Sequence, residues 1–110
     1  MSYQHQQLAS GRWNEMTFFE QMANVGSEVE RAIKWKEKEN GEYSRLAFER
    51  ALELLALTIS DDKNIKKLRE LTRLREAIND YFEFDNEYHS TGESWSKYFY
   101  SFNYASRLGR

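Results

Sequence analysis

The sequence predicts an all-α protein, an up-down-up-down four-helix bundle. Helical periodicity fills four stretches between Thr17 and Arg107, no proline interrupts the 110 residues, and the first two connections are only a few residues long. Short connections make consecutive helices antiparallel neighbours. At this length the chain buries roughly two thirds of its unfolded surface around one core, so a single helical domain is expected over residues 13–110.

Residues 1–12 are polar and without sustained period, which predicts a mobile N-terminal arm that includes His5. The first helix opens at Thr17, where Glu20 completes a capping box, and runs to Lys38 or Glu39. Its apolar face collects Phe18, Met22, Val25, Gly26, Val29, Ala32 and Ile33. Glycine in a helix interior costs about 1 kcal/mol against alanine, so Gly26 on this face predicts close approach of a neighbouring helix. Asn40-Gly41 supplies the left-handed residue that ends the helix.

The second helix, Glu42 to Ile59, turns Ser44, Phe48, Ala51, Leu52, Leu55 and Ile59 inward. Ser60-Asp61-Asp62 makes the next turn and the N-cap of a third helix that ends near Phe84. Its apolar face is Leu68, Leu71, Leu74, Ile78, Tyr81 and Phe82, with Arg75 on the same side. After the connection FDNEYHSTG, Ser90 and Glu93 offer a capping box for the fourth helix, Glu93 to Arg107. Trp95, Tyr98, Phe99 and Phe102 form its inner face. Tyr98, Tyr100, Phe102 and Tyr104 also alternate as a strand would, but no other segment could pair with one.

Large apolar residues also stand opposite these stripes. Trp35 shares a face with Asn24, Glu28 and Arg31; Leu46 and Leu57 bracket Arg50 and Glu53; Tyr100 and Tyr104 stack one turn apart. On a small soluble bundle such positions usually carry charge, so they predict contact with other chains, either self-association or a protein partner. Burial within a skewed bundle is the alternative reading for each.

Charged groups give further candidates. Arg50, Glu53, Arg75 and Glu76 are expected as buried ion pairs that fix helix register, or as a polar site inside the bundle. Lys66, Arg69 and Arg73 share one strip of the third helix, which would track phosphates of RNA or DNA. Glu76 and Asp80 continue that strip with opposite charge, and no aromatic residue of the helix interleaves with it, so a solvated salt-bridged face is the competing reading. The net charge of −2 excludes a surface that grips polyanions everywhere, while leaving room for a local patch.

Catalysis and cofactors find little footing. With no Cys there is neither a disulfide nor a thiolate site. The cluster Asp80, Glu83, Asp85, Glu87 and His89 fails as an EF-hand, since the glycine position of a loop starting at Asp85 is Ser90. No Glu precedes a His by three residues, as di-iron bundles require, and neither His is placed to activate a serine. No catalytic residue, metal or cofactor is therefore assigned. The absence of a long apolar run or signal segment predicts a cytoplasmic protein that does not enter membranes.

The runs FFEQMANVGSEVERAIKWKEK, AFERALELLALTI, LREAINDYF, DNEY and KYFYSF resemble a group of short uncharacterised bacterial helical-bundle proteins, over about residues 13 to 107. More distantly, the four-helix organisation is similar to HEPN and intervening-sequence-type bundles, which accompany nucleotidyltransferases, reverse transcriptases or RNA. HEPN ribonucleases use an Arg followed about four to six residues later by His. Neither Arg73 nor Arg75 has one at that spacing, and His89 is far beyond it. The resemblance thus implies a fold without nuclease activity. The expectation from sequence is a non-enzymatic bundle acting by self-association or as an accessory subunit, with nucleic-acid binding through the basic strip as the alternative.

Overall fold

A computed structural model of the chain describes residues 11–108. Four α-helices carry the fold: α1 Phe18–Glu37, α2 Gly41–Ser60, α3 Leu68–Glu83 and α4 Gly92–Leu108. Short 3-10 turns precede α1 at Arg12–Glu15 and α3 at Asp62–Lys67. No strand occurs among the described residues, so the alternating aromatics of α4 are helical. No helix among them is long and apolar enough to cross a membrane.

Helix α1 is the centre of the molecule, packing against α2 on one side and α4 on the other, while α3 leans on α2. The Thr17–Glu20 capping box forms as expected. Gly26 lies where α4 crosses α1, against the ring of Phe99. Met22, Val25, Val29, Ala32, Phe48, Ala51, Leu55, Leu71, Ile78 and Phe99 make up much of the core. Leu52 and Ile59 are half-buried against it.

Several helix ends differ from the sequence reading. Glu39, with φ of 60°, is the left-handed residue after α1, and Asn40 instead caps the next helix, its side chain accepting from the Tyr43 amide at 3.0 Å. Asn is a better N-cap than C-cap because its short carbonyl reaches the first free amides. Before α4 the reciprocal pair is Thr91 and Ser94, at 2.9 and 3.0 Å, rather than Ser90 and Glu93. Ser90 is held by Asn86, which accepts from its amide and donates to its carbonyl.

Of the expected N-terminal arm, residues 1–10, including His5, lie outside the described residues. Arg12 does not belong to an arm: it begins the turn that carries Trp13 into the core, where 1% of its surface remains exposed. The Trp13 indole donates to Thr58 Oγ1 at 3.0 Å. Gln21 donates to the Trp13 carbonyl and to Asp61, and Asn64 donates to Gln21 and to the Thr58 carbonyl, all at 2.9–3.0 Å. This buried polar network ties the turn before α1, the end of α2 and the turn before α3 into one knot. Burial alone would raise the Asp61 pKa, but hydrogen bonds from Lys63 and Gln21 and the nearby Lys63 charge hold it below the ordinary carboxylate value.

Candidate functional site

The knot fixes where the basic residues point. Asn64 is drawn inside and the Asp61 side chain accepts from the Lys63 amide, so the 3-10 turn presents Lys63, Lys66 and Lys67 to solvent. Helix α3 continues the same face with Arg69 and Arg73. Lys66, Lys67, Arg69 and Arg73 then line one wall of an open groove of ≈ 660 Å³ between α3 and α4. Opposite them stand Tyr88, from the connection, and Ser94, Trp95 and Tyr98 of α4, over a floor that includes Leu74 and Ala77. The structure thus brings Lys66, Arg69 and Arg73 together as the sequence predicted. It also supplies, from α4 and the connection before it, the aromatics that the basic strip of α3 lacks.

The aromatic wall is held by carboxylates. Tyr98 donates to Glu70 Oε2 at 3.1 Å, and its pKa is raised well above the ordinary phenol value by burial, then by the Glu70 charge and this hydrogen bond. Tyr88 donates to Glu76 Oε2 at 3.3 Å, and the Glu76 charge is the main reason its pKa also rises. Trp95 is 5% exposed, stacks on Phe99 at 6.2 Å and meets Tyr98 edge-on. Its indole N–H is buried without a hydrogen-bond partner among the described residues. Lys67 is steered by the ring of Phe18, 4.8 Å from its ammonium.

Asp80 does not extend the basic strip with negative charge. It is buried, and its two oxygens accept from the amides of Glu87 and Tyr88 at 2.8 and 3.0 Å. With Asn86 and His89 at positive φ, these bonds shape the connection and set Tyr88 beside the groove. Of the acidic cluster, Asp80 thus holds backbone, while Glu83 pairs with Arg45.

The other candidates scatter. Trp35 is half-buried, with its ring edge-to-face on Tyr43 at 4.9 Å. Together with Arg31, Leu46 and Arg50 the two rings border a hollow of ≈ 230 Å³. Leu57 is not an outward residue but packs against the core, so the Leu46–Leu57 stripe is broken. Tyr100 and Tyr104 are exposed and stack with centroids 6.4 Å apart. Arg50 and Glu53 are half-buried on α2, whereas Arg75 and Glu76 are exposed, against the expectation of buried ion pairs. The buried arc of α3 centres on Leu71, Leu74 and Ile78, and Arg75 falls at its edge, where no helix covers it.

No family model, no curated protein and no solved structure matches this chain. The groove's own chemistry carries the functional argument. Lysine and arginine heads on one wall can neutralise an anion, and the exposed ring of Tyr88 can accept a planar group. Sequence reasoning assigns no role to Tyr88 and places Trp95 and Tyr98 on the inner face of the fourth helix, and the structure buries Trp95 and half-buries Tyr98 there. The pairing of α4 with α3 that makes them a wall is a long-range contact with no local signature.

Proposed function

We propose that this chain is a cytoplasmic, non-enzymatic accessory protein that binds RNA or DNA along the α3–α4 groove. One observation carries the reading: Lys66, Lys67, Arg69 and Arg73 share one groove with the exposed ring of Tyr88 and the half-buried ring of Tyr98. Cations that neutralise phosphates release condensed counterions, and exposed aromatic faces receive bases, so the groove offers the two kinds of contact that a nucleic-acid strand would use. The overall charge of −2 confines attraction to this patch. Glu70, the carboxylate in the lining, already accepts the Tyr98 hydroxyl, which leaves it a positioning part rather than a free base.

The test is anisotropy of fluorescent oligonucleotides across a salt series. Binding should weaken steeply with salt, and the slope should fall by about one for each cation removed. Reversing Lys66, Arg69 and Arg73 to Glu should abolish binding while the circular dichroism stays helical. Undiminished affinity in that variant overturns the reading.

Self-association is a second reading, favoured by α4. Tyr100, Tyr104 and Leu108 are 68%, 55% and 67% exposed on successive turns of one face. A second copy of the chain is the natural occupant, because a two-fold axis sets a stripe of this kind against itself. Leu46 and Trp35 border a separate hollow on α1 and α2 and would belong to a different contact. Light scattering during size exclusion decides: a dimer that becomes a monomer in Tyr100→Lys with Tyr104→Lys supports this reading, and a monomeric wild type at all concentrations removes it.

A further inference from the structure

We infer that the groove selects single-stranded over duplex nucleic acid, an inference that rests on the nucleic-acid reading of the same site. Its walls divide the labour. Lys66, Arg69 and Arg73 follow one another along the 3-10 turn and α3, and Lys66 and Arg73 are separated by roughly 10 Å at helical rise. The facing wall presents the exposed ring of Tyr88 and the half-buried ring of Tyr98. A duplex hides its base faces in its own stack and would bring a second row of phosphates against that wall. An unpaired strand can lay its backbone along the cations and turn its bases to the aromatics.

The polar groups of the aromatic wall point the same way. The hydroxyls of Tyr98 and Tyr88 are spent on Glu70 and Glu76, so they do not serve as phosphate donors. The two carboxylates repel a backbone that strays from the basic row. None of these contacts reads the sugar, so RNA and DNA single strands are bound alike.

The experiment compares fluorescein-labelled dT10, U10 and a blunt DNA hairpin of ten base pairs at low salt, with the full chain and with Tyr88→Ala. Tyr88 is 55% exposed, so its truncation leaves the core intact. The two single strands should bind at least about tenfold more tightly than the hairpin, and Tyr88→Ala should weaken them by about tenfold, the loss of one stacked base, with an unchanged salt slope. Hairpin affinity equal to or above that of the single strands overturns this inference and leaves the nucleic-acid reading standing, as does Tyr88→Ala binding that matches wild type. No binding of any probe at low salt overturns both.

Discussion

A Cβ placed on Gly26 would lie 2.6 Å from Cγ of Phe99, nearer than two carbons can approach. Helix α4 therefore packs on α1 at a point where only hydrogen fits. In an exposed helix Gly→Ala gains about 1 kcal/mol; here overpacking, typically costing about 1–3 kcal/mol, works against it. Gly26→Ala is expected to lower Tm by several degrees. Because the nearest atoms are Cγ, Cδ1 and Cβ of Phe99, Gly26→Ala in a Phe99→Ala background, which removes the first two, should cost less than in wild type, a coupling that a double-mutant cycle measures. Additive effects would place the strain elsewhere.

Trp13 closes the opposite end of the bundle. Its ring is buried and its indole N–H reaches Thr58 across 45 positions of sequence. Trp13→Ala should cost about 3–5 kcal/mol, as large aromatic truncations in cores do, and should loosen the knot that orients the 3-10 turn. Chemical denaturation gives the energy. Amide exchange should speed at Asn64 and its neighbours, and native protection there would show that the turn stands without Trp13.

Asp61 makes this knot sensitive to acid. Its pKa is lowered in the folded chain, so the unfolded state binds the proton first and stability rises with pH through that range. The contribution is complete above about pH 4, the unfolded carboxylate value, and is lost as pH falls through the folded value. Asp61→Asn should be less stable at neutral pH and should show a smaller loss of stability between about pH 5 and 3. Parallel pH profiles for the two proteins would contradict this.

The periodic parts of this fold were legible because they are local. The inward faces of α1 and α2, the Thr17–Glu20 cap and the meaning of Gly26 follow from spacing alone, since each depends on residues within a turn or two, or on the cost of one glycine. What escaped was long-range or polar. Gln21 and Asn64 look like surface residues in sequence and are buried because each finds hydrogen-bond partners 40 or more positions away. Leu57 and Arg75 sit at the margins of their stripes, where the neighbouring helix, not the period, decides burial. The basic half of the groove was visible as a strip on one helix; its aromatic half belongs to α4 and to a connection shaped by Asp80, and only the packed structure joins them.

Tyr98 links that groove to stability at the alkaline end. Its raised pKa means that the folded chain keeps a proton the unfolded chain gives up near pH 10. Unfolding then becomes easier as pH climbs, the opposite sign to Asp61. Tyr98→Phe keeps the ring and removes the ionisation, so the difference in urea midpoint between the two proteins should shrink from pH 8 to pH 10.5. At pH 8 the variant should be less stable by about 0.5–1.5 kcal/mol, the value of one hydrogen bond. It also leaves the Glu70 carboxylate without the Tyr98 hydroxyl beside the cations, so oligonucleotide affinity should fall at low salt although no positive charge has been touched. A midpoint difference that stays constant with pH would mean that Tyr98 ionises as freely in the folded chain as in the unfolded one.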